Sequence, residues 1–230
     1  MSKEIVFINN TDALDLEMPE PALSLVPEWY KNTESYTNNI KKPSMDGTTP
    51  ASIKKCLPVF DAMTAGYIIK SPADVYVSKI DNQQHFQWAS FNLIEFHPVT
   101  QAPLHPYRTV YDVYPKWINP WTIKTPKGYS VLFIQPLHRE SVFTILPGIV
   151  DTDKYPNPVN FPFVIKDPNF EGLIPAGTPI AQVIPIKKES WNRKRLNKHD
   201  IIGIEGAILK LRSKFFDGYK NMYWTRKEYK

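Results

Sequence analysis

The sequence predicts a mainly β fold. Two observations carry that prediction. Short apolar runs recur at regular spacing between residues 51 and 186, and no interior window holds helical periodicity over a long stretch. Proline supports it: 22 Pro stand against 9 Gly, scattered rather than clustered, so they punctuate short strands and long connections. Hydrophobic residues make up 42% and aromatics 13%, enough to bury a core and too many for a disordered chain.

The elements follow in order. Residues 1–50 read as a Pro-rich arm, with MPEPALSLVPEWYKN laid across a surface by Trp29 and Tyr30 and a short helix around 28–38. Residues 51–190 form the β core. IKKCLPVFDAM, GYIIKSP and ADVYVSKI open it as strands, the last with Val75 and Val77 alternating against Asp74, Tyr76 and Ser78. HFQWASFNLIEFH, WTIKTP, GYSVLFIQP, SVFTILPGIV, NFPFVI and GLIPAGTPIAQVIPI continue at the spacing of a sandwich or barrel. Residues 191–230 change character. Apolar positions 201, 202, 204, 208, 209, 211, 215 and 216 fall near helical spacing, with Asp200 as N-cap and a break at Asp217-Gly218.

Charge is uneven. Residues 187–230 carry 13 Lys/Arg and 5 Asp/Glu, whereas the preceding 186 carry 15 and 18. A basic segment on an acidic body fits a solvated helix, with nucleic acid as a less favoured partner. The single cysteine, Cys56, excludes an internal disulfide and a Cys-based zinc site, which suits a reducing compartment. No apolar run reaches membrane-helix length and the N-terminus is acidic, so the expected setting is the cytoplasm or a virion assembled there. No His-x-His pair, P-loop, G-x-S-x-G elbow or G-x-G-x-x-G is present. The cluster Tyr107, Tyr111, Tyr114, Trp117 and Trp121, interleaved with Arg108 and Lys116, reads as packing more than base stacking.

One ordered set of motifs carries chemistry. Ala65-Gly66-Tyr67 comes first, then Pro126-Lys127-Gly128, Arg139-Glu140-Ser141, GIVDTDKY (148–155) and GTPIAQV (177–183). In this order and spacing the chain resembles the dUTPase and dCTP-deaminase family, which implies a trimeric β-clip fold. The resemblance makes Asp151 the water-activating carboxylate and Tyr155 the ring against a deoxyribose. Arg139, Ser141 and Gln182 would reach phosphate oxygens, with Asp153 and Tyr67 beside them and Mg²⁺ present if phosphates bind. The chain departs from the family in five places. Ala65-Gly66-Tyr67 lacks the Asp that follows in the family, and Lys154 is an extra residue before Tyr155. The chain has no Gly-rich, Arg-containing C-terminal lid, Glu140 interrupts the Arg-Ser-Ser motif, and residues 160–165 lack the deaminase glutamate. The segments Pro27-Glu28-Trp29-Tyr30-Lys31, KWINPWTIKTPKGYS (116–130) and GTPIAQVIP are also similar to an uncharacterised family of tailed-phage and bacterial proteins.

The expectation is a nucleotide-binding β-clip homo-oligomer with catalysis weak or lost. The alternatives are a structural or assembly protein that reuses the fold, and an active nucleoside triphosphate diphosphohydrolase. The residues themselves allow plainer roles: DTDKYPNP is rich in turn formers, and Gln182 suits a core amide bonded to main chain.

Overall fold

The alternation in GTPIAQVIPI becomes β14 (Pro179–Lys187), the longest strand described. The computed structural model describes residues 3–11, 16–42, 50–81, 83–89, 92–101, 113–197, 201–214 and 217–230. Around β14, β9 (Tyr129–Ile134) and β3 (Tyr67–Lys70) pair antiparallel on either side. β11 (Gly148–Val150) and β2 (Glu20–Pro21) complete a five-stranded sheet in the order β11-β9-β14-β3-β2.

Three smaller antiparallel sheets surround it. β10 (Phe143–Ile145), β12 (Phe161–Ile165), β7 (Val113–Trp117) and β6 (Ile94–Pro98) form the second. β13 (Gly172–Ile174), β4 (Val75–Ile80) and β5 (Gln83–Gln87) form the third. β1 (Val6–Asn9) pairs with β8 (Trp121–Lys124) as a two-stranded ribbon. The mainly β expectation holds, and the sheets are not closed into one barrel among the described residues. All four contribute to or pack on one core. Trp117 stacks on Phe163 at 5.1 Å between ring centroids, and Phe143 fits against both. Tyr114, Trp117 and Trp121 are buried, so this part of the aromatic cluster packs, while Tyr107, Arg108 and Tyr111 lie outside the described residues.

The arm lies on its own body. Its residues form β1 and β2, and α1 (Glu28–Asn32) buries Tyr30 against Phe60. Trp29 donates its indole N–H to the His138 carbonyl at 2.8 Å.

One expected strand is a helix. IKKCLPVFDAM forms a 3-10 turn, Ile53–Lys55, and then α2 (Leu57–Thr64). Pro58 sits in the first helical turn, where its missing N–H costs nothing and its fixed φ suits the helix. The Ser52 hydroxyl accepts the Lys54 N–H, and Met63 and Thr64 turn into the body. An eight-residue helix offers too few turns for its period to stand out from an apolar strand. Two residues past the end of α2 stands Gly66, which has φ +70°; a Cβ there would lie 1.9 Å from the Val183 carbonyl oxygen. Only glycine fits both the left-handed turn and that approach.

The tail is helical as expected, in α3 (Ile204–Arg212) and α4 (Gly218–Met222), with Asp217 at φ +53° making the break. The proposed N-cap Asp200 lies outside the described residues; Gly203 holds the N-cap position of α3. Among the described residues no helix is long and apolar enough to cross a membrane.

Candidate functional site

Side chains alternate across a strand, so neighbours on β14 serve opposite faces. Ala181 and Val183 enter the core, and Gln182 points to the other face, under α2 and the arm. It is fully buried there. Its Oε1 accepts the Leu137 N–H at 2.9 Å, and its Nε2 donates to the carbonyls of Ala62 at 2.9 Å and Ala65 at 2.7 Å.

These carbonyls matter because the last turn of a helix leaves its C=O groups without intrahelical donors. Gln182 therefore caps the C-terminal end of α2. Arg139 completes the cap: its Nη1 donates to Met63 O and Leu137 O, both at 3.2 Å. Its Nη2 donates to Ala22 O at 3.3 Å and Leu25 O at 2.8 Å. A cation at a helix C-terminus also meets the negative end of the dipole. Burial pushes the Arg139 pKa down from its usual value, and the guanidinium keeps its charge at any physiological pH. The Ala22 N–H donates to Gly66 O at 2.9 Å. Arm, α2, β14 and the residues after β9 thus meet in one polar hub.

The DTD motif lies elsewhere. After β11 the chain turns, with the Lys154 and Tyr155 N–H groups both on the Asp151 carbonyl at 2.9 Å. Asp153 accepts the Gly128 N–H at 2.9 Å and Lys188 Nζ at 2.7 Å, with its side chain 3% exposed. Asp151 accepts the Ser130 hydroxyl at 2.7 Å and lies 3.5 Å from Lys188. Thr152 is buried and shares a 2.7 Å hydrogen bond with Thr125. The two carboxylates and Lys188 staple the β11 turn to the end of β14.

The structure brings Asp151 and Asp153 together, and Arg139 and Gln182 together, but holds the pairs apart. Ser130, which holds Asp151, opposes Ile186, four residues along β14 from Gln182, about 13 Å at the strand rise. Ser141 accepts the Phe143 N–H in a local turn, and the Tyr155 ring is exposed. Tyr67 lies opposite Val183, on the face away from Gln182. Its ring packs on Phe7 and Tyr229, its hydroxyl donates to Lys230 O at 3.2 Å, and burial raises its pKa. It lines a cleft of about 630 Å³, with Lys3, Tyr129, Tyr229 and Lys230 around it.

Two contributors carry no motif. Asp61 accepts the Trp224 indole N–H at 2.9 Å and Lys227 Nζ at 2.7 Å, holding the C-terminal residues to α2. Lys188 was legible only as part of a basic run. Among the described residues no group of three or more His, Cys, Asp or Glu is placed to hold a metal ion.

The Asp–Lys staple sets a pH dependence. Hydrogen bonds and the Lys188 charge hold the Asp151 and Asp153 carboxyls below their usual range. Depressed carboxyl pKa values stabilise the fold above the unfolded-state value, and this contribution is lost as pH falls through the folded-state values. The urea midpoint is therefore expected to drop on acidification below about pH 4. Asp153→Asn should shrink that drop, measured as midpoint against pH.

The chain matches no model of a known protein family and no curated protein.

Proposed function

We propose that this protein is a non-catalytic scaffold, an assembly module on a β-clip-like core. The observation that carries this reading is the use made of Gln182 and Arg139. The two side chains that the dUTPase resemblance would aim at phosphates spend their hydrogen bonds on main-chain groups of α2, the arm and the segment after β9. A buried amide with all three of these bonds made gains nothing by turning toward a ligand. The carboxylate assigned to water activation sits outside that hub, engaged by Ser130, whose register partner Ile186 lies four residues from Gln182, about 13 Å along β14, and facing Lys188. The motif order is then a record of shared scaffold. The similarity to tailed-phage proteins favours a virion or assembly setting.

A second reading has one observation of its own. The cleft beside Tyr67 and Tyr129 has aromatic faces and two lysines at its rim. Lys3 Nζ lies 4.8 Å from the Tyr129 ring centroid. Aromatic faces with cations suit a nucleotide.

A thermal-shift titration with nucleoside mono-, di- and triphosphates and cyclic dinucleotides, with and without Mg²⁺, separates the readings, because a ligand of the native state raises Tm by mass action. The scaffold reading expects no shift. A shift abolished by Asp151→Asn would restore the hydrolase-type site. A shift abolished by Tyr129→Ala but kept in Asp151→Asn would place a nucleotide in the cleft.

A further inference from the structure

The three most exposed large hydrophobic residues described are Ile202 at 100%, Trp191 at 85% and Leu209 at 66%. All three lie on one excursion of the chain. After β14 the main chain leaves the body, and residues 188–197 and 201–203 are exposed throughout. It returns at Asp217, which pairs with Lys55 at 2.9 Å, and at the buried Gly218. Both ends are therefore fixed on the same body. Scattered apolar residues in water are ordinary, but the three most exposed ones falling on a single excursion mark it as a segment that something covers.

The excursion is also charged. Arg193, Lys194 and Arg195 on the coil, and Lys210, Arg212 and Lys214 in or beside α3, make no ion pair with a described residue. The cover must be apolar at its centre and acidic around it.

The body carries such a face. In the β13-β4-β5 sheet, Val75, Val77 and Ile174 enter the core. Tyr76 and Leu173, which oppose each other in register, point outward at 50% exposure each, and Ile80 lies on the same face at 51%. Asp74 and Glu171 stand two residues before Tyr76 and Leu173, so they share this face. Asp74 accepts only a main-chain N–H, that of Ala176, and Glu171 that of Lys79. Neither has a salt-bridge partner among the described residues.

We propose that the excursion of one copy docks on the outer β13-β4-β5 face of a second copy. Trp191, Ile202 and Leu209 cover Tyr76, Leu173 and Ile80, while Arg193, Lys194 and Arg195 face Asp74 and Glu171. Reciprocal docking closes a two-fold pair. An aliphatic load favours a protein cover, since nucleic acid would use the Trp and the cations but leave Ile202 and Leu209 in water. This inference rests on the assembly reading above, and it can fail while that reading stands.

Sedimentation velocity tests it with two charge-reversed proteins, R193E/K194E/R195E and D74K/E171K, each first checked for unchanged Tm. The wild-type chain is expected to associate with concentration, less so in high salt. Each reversed protein alone should associate about tenfold more weakly or worse. An equimolar mixture should recover association, because each excursion then meets a face of opposite charge. A wild-type chain that stays monomeric at every concentration overturns the proposal, and so does association that neither reversal weakens. A labelled single-stranded oligonucleotide bound by the monomer, with steep salt dependence and lost in R193E/K194E/R195E, would reassign the excursion to nucleic acid. None of these outcomes depends on the nucleotide titration, which judges the scaffold reading separately.

Discussion

Gln182→Ala is expected to destabilise the protein by about 3–5 kcal/mol, read from urea unfolding. The substitution removes three hydrogen bonds at once. It leaves the Leu137 N–H and the Ala62 and Ala65 carbonyls without partners at a position closed to water, each at a cost of about 1–3 kcal/mol. A cavity adds to this, partly offset by relaxation of α2. Gln182→Glu makes a sharper comparison. An ionised carboxylate can still accept from Leu137 but has no hydrogen for the two carbonyls, which would then face a negative charge. Gln182→Glu should therefore be as damaging as alanine near neutral pH and recover partly on acidification, when the protonated acid can donate one bond. A ligand-binding Gln182 predicts the opposite pattern, with stability unchanged and only binding lost.

Arg139→Met is expected to cost about 2–4 kcal/mol and to loosen the arm. The methionine keeps most of the apolar stem but none of the donors. Four carbonyls lose a charged partner, two on the arm at Ala22 and Leu25, one at the end of α2 and one at Leu137. The loss is smaller than four strong hydrogen bonds would suggest, because the native state also carries the desolvation of a half-buried guanidinium that pairs with no carboxylate among the described residues. Lysine is a poor rescue: an ammonium lacks the planar fork that spans carbonyls on separate segments.

Much of the fold was legible in the sequence. Alternation in ADVYVSKI and the apolar runs at 129–134, 161–165 and 179–187 gave strands where strands lie. These segments have one or both faces buried, so their pattern reports their position directly. α2 was not legible, because its eight residues are too few for a helical period to stand out and IKKCLPVFDAM reads equally as an apolar strand. The site was less legible than the fold. The order of Gly66, Arg139 and Gln182 along the chain is compatible with a phosphate site and with a helix cap, since both tasks need donors aimed at oxygens. What separates them is the position of α2, which sets the Ala62, Met63 and Ala65 carbonyls on these donors. That depends on long-range packing, which no local motif records. The DTD segment met its turn-forming role, with the added Lys188 contact supplied by a residue 35 positions away from Asp153.

The central claim is that Arg139 and Gln182 lock the arm and α2 onto the five-stranded sheet. Amide hydrogen exchange on wild-type protein and Arg139→Met tests it most directly. The account predicts that residues 16–32 and 57–66 lose protection together in the variant, while the Asp151–Asp153 turn and its Gly128 partner keep theirs. Unchanged protection in the arm and α2 would contradict the account and show that the guanidinium does not hold these segments.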